Sequence, residues 1–312
     1  MRKKILFIDN PHPSMEKELS EMGFLVDKKN ISYPELLNIA SDYYGYIIRS
    51  KFIIDKQLID KSINLKFIAR IGAGMENIDT DYAKTKNIIC LNSPEGNADA
   101  VSEFVIGSLF NLLRYIKKSD NEVRHGIWDR QSNCGLELHT KTVGIIGYGN
   151  MGSRLADKLK ALGCKVLVYD KFKKNFGNQY IQEVTLKEIQ KEADIVSIHI
   201  NYTDENHYYI NKKWINGFRK NIYLVNTSRG KVLHTAELIE TLKEGKVIAA
   251  ALDVLEYENI RLQNKPMEEW DESMHFLAQS PNVLLSPHIA GQTYDAHEKH
   301  VKILVEKIKK II

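Results

Sequence analysis

The sequence predicts an α/β protein made of two Rossmann-like domains, a flavodoxin-like one and a doubly wound one inserted into it. Three observations carry this prediction. Over the first third of the chain, short apolar runs alternate with polar, helix-compatible stretches, the pattern of βα units around a parallel sheet. At Asn97 the pattern gives way to a long helical period. Further on, Lys141 to Asp170, KTVGIIGYGNMGSRLADKLKALGCKVLVYD, reads as strand, glycine turn, helix and strand. A length of 312 residues suits two domains of ordinary size.

In chain order, the first strands are expected at Ile5 to Ile8, Phe24 to Val26, Tyr46 to Ile48, Phe67 to Ile71 and Ile88 to Leu91. In open α/β sheets ligands gather beyond the carboxyl ends of strands, and two of these ends carry suitable residues. Arg49, Ser50 and Lys51 follow the third run; their cations suit a carboxylate or phosphate, the alternative being a solvated surface pair. Gly72, Ala73 and Gly74 follow the fourth, where backbone N–H groups can face an anion, the alternative being a plain turn.

From Asn97, a possible N-cap, Val101, Phe104, Val105, Leu109, Leu112, Leu113 and Ile116 keep helical spacing and predict one long helix. It leads through a polar segment, Ser119 to Asn133, towards the glycine unit. There Gly147 permits a tight turn, Gly149 lets backbone approach a pyrophosphate, and Gly152 lets helix and sheet pack closely. Asn150 and Met151 open the helix, whose free N–H groups suit a phosphate. Asp170, at the end of the second strand, is placed to accept from ribose hydroxyls, so the unit predicts NAD in preference to NADP. The residues leave one other reading, glycines in an ordinary packed turn.

Later strands are expected at Ile195 to Ile198, Ile222 to Val225, Val247 to Leu252 and Val283 to Leu285. Between the last two, Glu256 to Gln279 shows no strand and at most one short helix. The tail carries Val301, Leu304, Val305, Ile308 and Ile312 at helical spacing and is expected to pack on the first domain. The domains are therefore expected at 1–97 with 291–312, and at 98–290. Arg229, Glu258 and His288 follow three of the later strands, which brings them to the carboxyl edge of the sheet with the glycine turn. Each alone has a structural reading as cap, loop acid or satisfied imidazole; together at one cofactor edge they point to catalysis.

Composition excludes several classes. The net charge of +4 is too balanced and dispersed to argue for nucleic acid. Cys90, Cys134 and Cys164 are widely spaced, which suggests neither a disulfide framework nor a metal site and fits reduced cytoplasmic thiols. The opening MRKKILFIDN has too short an apolar run for a signal peptide, and no stretch reaches the length of a membrane span.

The motifs GAGMENID (Gly72 to Asp79), NADAVSEF (Asn97 to Phe104), GYGNMG (Gly147 to Gly152), NTSRG (Asn226 to Gly230), AALDVLEYE (Ala250 to Glu258) and SPHIAGQT (Ser286 to Thr293) occur in this order. With them the chain resembles the D-isomer-specific 2-hydroxyacid dehydrogenase family and is similar to its phosphoglycerate dehydrogenase branch. The resemblance implies a substrate domain and an NAD-binding domain, a small 2-hydroxy or 2-keto acid as substrate, and a homodimer. It implies that Arg229 holds the substrate carboxylate and polarises the keto oxygen, that His288 exchanges a proton with the substrate oxygen, and that Glu258 orients His288. It further implies that Asp253 contacts the nicotinamide carboxamide, that Thr227 and Gly291 lie on the cofactor side, and that Ala73 and Gly74 take the substrate carboxylate. The substrate expected is 3-phosphoglycerate, with serine biosynthesis as its setting; hydroxypyruvate or glyoxylate reduction is the rival, and an NAD(H)-sensing binding protein is the reading from another class. Formate oxidation ranks low, because its relatives carry glutamine where Glu258 stands. Three departures stand out: Asn259 follows Glu258 where the family has proline, the segment from Glu258 to His288 is longer than usual, and no regulatory extension is expected after Ile312.

Overall fold

The computed structural model describes residues 3–9, 13–258 and 266–312. The chain divides into two compact units, one running to Ala98 and resuming at Gln292, the other beginning at Asp99 and ending at Gly291.

The first unit alternates β1 (Lys4–Phe7), α1 (Pro13–Glu21), β2 (Leu25–Lys28), α2 (Tyr33–Ile39), β3 (Gly45–Ile48), α3 (Lys56–Lys61), β4 (Phe67–Arg70), α4 (Thr80–Thr85) and β5 (Ile89–Leu91). All pairings are parallel, in the order β2-β1-β3-β4-β5, which is the flavodoxin-like arrangement. Side chains of successive residues point to opposite faces, so both faces need cover, and β3 is accordingly buried along its whole length. One face packs Leu6, Tyr46, Ile48 and Ile68 against Leu36, Leu58 and Ala83 of α2 to α4. The other packs Ile5, Phe7 and Phe67 against Met15 and Leu19 of α1 and against Val301, Leu304, Val305 and Ile308 of the C-terminal helix Tyr294–Lys309. Each such aliphatic side chain contributes about 1.5–3 kcal/mol on burial, so the tail is an integral part of this sheet's core. Local caps fix the helix starts: Ser32 and Glu35 form a reciprocal capping box on α2, and Asp55, Asp79 and Thr293 cap α3, α4 and the C-terminal helix.

The second unit contains α5 (Ala98–Arg114), α6 (Ile116–Arg124), β6 (Thr142–Ile146), α7 (Asn150–Ala161), β7 (Lys165–Tyr169), β8 (Ile181–Glu183), α8 (Leu186–Glu192), β9 (Ile195–Ile198), α9 (Lys212–Asn216), β10 (Ile222–Asn226), α10 (Thr235–Lys243), β11 (Val247–Leu252), α11 (Glu272–Gln279) and β12 (Val283–Leu285). Its seven strands are parallel in the order β12-β11-β10-β9-β6-β7-β8, so the winding reverses between β6 and β9. Residues 259–265 lie outside the described structure, and with them the altered turn expected at Asn259.

Two expectations are corrected here. The single long helix is two: Tyr115 adopts a left-handed backbone at φ 52°, which stops α5 at Arg114, and α6 runs from Ile116 into the stretch read as polar. Asn97 precedes α5 but does not cap it, since its side-chain oxygen is buried with no hydrogen bond. The edge strand β8 was not foreseen.

Candidate active site

The glycine turn sits where β6 leaves the sheet, at the reversal of strand order. Gly147 has φ +99°, and a side chain there would run into the His199 carbonyl. A side chain at Gly152 would collide with the Gly147 carbonyl, so α7 lies against the turn only because this position is bare. Gly149 differs: a Cβ there would meet nothing within 4 Å, and the residue is the N-cap of α7 without any side-chain cap. The first N–H groups of α7, including those of Asn150 and Met151, therefore stand at an open backbone approach. This is the geometry a pyrophosphate requires.

Asp170, one residue past β7, ties this turn to its neighbour. Its carboxylate accepts from Tyr148 N at 2.6 Å and from Phe172 N and Lys173 N at 2.8 Å each. Partial burial opposes its charge, yet the three backbone donors prevail and hold the carboxyl below the usual range. Asp170 thus remains anionic beside the turn.

Three further strand ends are aligned by register: Asn226 of β10 faces Leu252 of β11, which faces Leu285 of β12. Each is followed by a polar residue of interest. After β12, His288 adopts φ +56°, and its N–H donates to Asp253 O at 2.8 Å. Its ring nitrogen Nδ1 lies 2.8 Å from Glu258 Oε2, while Glu258 Oε1 accepts from Leu255 N at 2.7 Å. The glutamate is held at one oxygen and holds the imidazole with the other. The two side chains retain 30% and 25% exposure, enough for Nε2 to meet a ligand while the pair keeps its orientation.

Asp253, 1% exposed, shapes the same turn. Its carboxylate accepts from Ser286 Oγ at 2.6 Å, Ile289 N at 2.9 Å and Ala290 N at 2.8 Å, just before Gly291. A buried carboxylate needs such partners, and here they force the chain around His288.

After β10, Asn226 organises the loop: its Oδ1 accepts from Ser228 N and Oγ, and its Nδ2 donates to Arg229 O. Among the described residues the buried Thr227 hydroxyl has no hydrogen-bond partner. Arg229 donates from Nη1 to Ser228 O at 2.7 Å.

The candidates of the first unit separate. Arg49 reaches Gln292 and His297, whereas Lys51 donates to Asn30 Oδ1 at 2.9 Å and lies over the Phe52 ring, so the two cations do not converge. Ser50 lies between them. The loop at Ala73 and Gly74 is pinned through its carbonyls, by Asn92 Nδ2 and by Arg70 Nη1, each at 2.6 Å.

Sequence reasoning missed the positioning role of Asp253, the Leu255 N–H under Glu258, and Arg70, which also donates to Arg49 O and Asn77 Oδ1. Only Asn226 carried a local signal, an amide side chain opening the NTSRG turn.

Residues 106–290 match the family model described as D-isomer specific 2-hydroxyacid dehydrogenase, NAD binding domain. The chain is 32% identical over 314 residues to D-3-phosphoglycerate dehydrogenase of Methanocaldococcus jannaschii, covering 99% of this chain and 57% of that protein. It is 33% identical to hydroxypyruvate reductase of Thermotoga maritima, covering 91% of this chain and 90% of that one. The chain thus spans little more than half of the first relative's length and most of the second's. Among solved structures, D-lactate dehydrogenase of Aquifex aeolicus, complexed with NAD and lactic acid, superposes with a TM-score of 0.84 at 27% identity, covering 98% of this chain and 94% of that one.

Proposed function

Because the chain belongs to the D-isomer-specific 2-hydroxyacid dehydrogenase family of NAD-dependent oxidoreductases, we propose that it interconverts a D-2-hydroxy acid and its 2-keto acid, with a phosphorylated three-carbon acid such as 3-phosphoglycerate as substrate. The observation that carries the reading is the 2.8 Å contact of His288 Nδ1 with Glu258, on the sheet edge that also bears the glycine turn.

Glycine cradle, open helix N-terminus and the buried Thr227 hydroxyl fit a dinucleotide. When bound, the nicotinamide supplies or takes the hydride exchanged with C2. The chain's own residues do the rest. With Nδ1 engaged by Glu258, His288 presents Nε2 to the oxygen on C2, donating a proton in reduction and accepting it in oxidation. Glu258 fixes the ring and balances the charge of the imidazolium. Asp253 holds the turn that carries His288, and Arg229 supplies a planar, permanently charged partner for the substrate carboxylate. Arg49 is the cation offered to the substrate's phosphate; among the described residues its guanidinium meets an amide and an imidazole and no carboxylate.

We place the enzyme in the cytoplasm, in keeping with three free cysteines, and read it as a homodimer built on the second unit, where Ile116, Val123, Ile127 and Trp128 are exposed near one another in sequence. Light scattering checks the latter. The substrate assignment is tested by reduction of 3-phosphohydroxypyruvate, hydroxypyruvate and glyoxylate with NADH. A kcat/KM at least tenfold higher for the phosphorylated acid supports it; equal values assign the enzyme to the hydroxypyruvate and glyoxylate class.

A further inference from the structure

In the second unit the contact of Glu258 with His288 depends on a turn that is seated from outside. Leu255 N donates to Glu258 Oε1 at 2.7 Å and Glu258 N donates to Leu255 O at 3.2 Å, so residues 255–258 close on themselves. Two contacts fasten this turn to the rest of the unit. Gly230 lies so close that a Cβ there would overlap the Leu255 carbonyl and crowd the Glu256 nitrogen. Glu256 reaches further: its Oε2 accepts from Thr235 N, at the first residue of α10, over 3.2 Å. His234, which precedes Thr235, supplies no side-chain cap to that helix. Glu256 therefore caps α10 from the neighbouring strand end, with its charge at the favoured pole of the helix.

Two phenols meet the same carboxylate. The hydroxyls of Tyr208, after β9, and of Tyr257 both hydrogen-bond to Glu256. Burial first, and the Glu256 charge with it, raise both phenols, Tyr257 to about 12 against an opposing Ser273 contact, so both remain donors. Tyr208 adopts a left-handed backbone at φ 50°, uncommon for a bulky side chain. Its N–H donates to Lys231 O at 3.0 Å, and its ring lies between those of His207 and His234, with centroids 3.9 and 4.4 Å away. One carboxylate thus joins the loop after β9, the start of α10 and the turn after β11. A plain helix cap needs none of this, since Ser, Thr, Asp or Asn at position 234 would serve. What a local cap could not do is hold the residue two positions before Glu258.

We propose that Glu256 is a positioning residue for the proton-exchanging pair: by tying the 255–258 turn to α10 and Tyr208, it keeps Glu258 on His288 Nδ1 and so sets the tautomer and orientation of the ring. The kinetic consequence rests on the dehydrogenase reading above; the effect on the His288 tautomer does not.

The experiment has two arms. In the first, the ring-nitrogen NMR resonances of His288 are recorded on the whole, isotopically labelled protein in alkaline buffer, assigned by their absence from His288→Gln. The wild type should show one tautomer, with the proton on the nitrogen that faces Glu258. Glu256→Ala should show a mixture, whereas Glu256→Gln, whose amide oxygen still accepts from Thr235 N, should keep the wild-type pattern. A mixture in the wild type, or the wild-type pattern in Glu256→Ala, overturns the proposal. In the second arm, Glu256→Ala should lower kcat about tenfold, the scale of one hydrogen bond to a charged group, with KM for NADH changed by less than about twofold and most of kcat recovered in Glu256→Gln. Added to Glu258→Gln, Glu256→Ala should cost less than about twofold more, because the residue it positions is already disabled. A full further loss in that background, or a change confined to thermal stability, makes Glu256 a plain helix cap and overturns the proposal. If Glu256→Ala does not fold, Glu256→Asp, which keeps the charge and loses the reach, carries the same expectations. Absence of turnover with any 2-keto acid, alongside the change of tautomer, counts against the dehydrogenase reading and leaves the positioning role standing.

Discussion

The two sheets are built alike and end differently. Each is parallel, each is covered on both faces, and each has an inner strand, β1 or β6, from which the winding runs both ways. After β6 the chain reads Gly147-Tyr148-Gly149-Asn150-Met151-Gly152, and the helix that follows begins at an open backbone. After β1 it reads Ile8-Asp9-Asn10-Pro11-His12-Pro13, without a glycine, and Asp9 Oδ2 turns back to accept from Arg49 N at 2.6 Å. The same architecture therefore offers a dinucleotide cradle in one unit and side-chain cations at strand ends in the other. Fold supplies the edge; the turn chemistry decides what the edge can hold.

The two units also use histidine in opposite ways. His288 is partly exposed and engaged by a carboxylate, which suits proton exchange. His300 is 4% exposed and meets Ser93 Oγ and O, each at 2.8 Å from Nδ1, in a packed helix. Burial drives its pKa down to about 4, with help from the nearby Arg49, Arg70 and His297 and against the Ser93 contact.

The sharpest break of this comparison is at His288. His288→Ala should lower kcat by roughly 10²–10⁴-fold, the usual worth of a positioned acid/base, while NADH affinity by fluorescence titration stays near wild type. His300→Ala in the other unit should change stability and leave kcat within a few-fold.

Next comes the turn itself. Gly152→Ala drives a methyl group into the Gly147 carbonyl and should cost about 3 kcal/mol or more, with loss of NADH binding. Gly23→Ala in the first unit meets φ +90° but open space, so its cost should stay near 1–2 kcal/mol, with NADH binding kept. Urea denaturation and NADH titration of the two variants measure both quantities. Equal loss of cofactor binding in both would break the distinction.

The third test is acid stability. His300 has a folded pKa of about 4 against 6.5 in the unfolded chain. The unfolded chain thus binds the extra proton first, so this residue's contribution is full above pH 6.5 and is lost as pH falls towards 4. The loss should approach 3 kcal/mol, at about 1.4 kcal/mol per unit. Denaturation at pH 7, 5 and 4 should show this slope in the wild type and a shallower one in His300→Gln; identical slopes would remove His300 as its source.

The smallest effect expected concerns cofactor choice. Asp170→Asn removes the charge next to the glycine turn, so the ratio of kcat/KM for NADH to that for NADPH should fall about tenfold, near 1.4 kcal/mol. An unchanged ratio would leave Asp170 as a purely structural ligand of Tyr148, Phe172 and Lys173.

These contrasts were unequally legible in the sequence. Most strands announced themselves because both faces of a covered parallel sheet are apolar, and runs such as Val247 to Leu252 coincide with β11. Edge strand β8 escaped because Ile181-Gln182-Glu183 has one buried apolar residue. Helix α6 was not separated from α5 because Ile116 continues the apolar spacing of α5, and the rest of IKKSDNEVR is mostly polar and buries none of its residues. The break before it falls at Tyr115, and neither glycine nor proline signals it. Of the site, the glycine turn was legible because its spacing is local. Strand ends brought His288 and Glu258 to one edge and the family resemblance implied their pairing, whereas the threefold use of Asp253 was not inferable, since it depends on the chain doubling back through Ser286 to Ala290.

The most direct test follows the hydride. NADH deuterated at C4 of the nicotinamide is incubated with the protein and a 2-keto acid panel that includes 3-phosphohydroxypyruvate, and the products are read by NMR and chiral chromatography. The reading predicts deuterium on C2 of a D-2-hydroxy acid, and labelling slower by roughly 10²–10⁴-fold when His288→Ala replaces the wild type. NADH binding with no deuterium in any 2-hydroxy acid would contradict catalysis and leave a dinucleotide-binding protein on this fold.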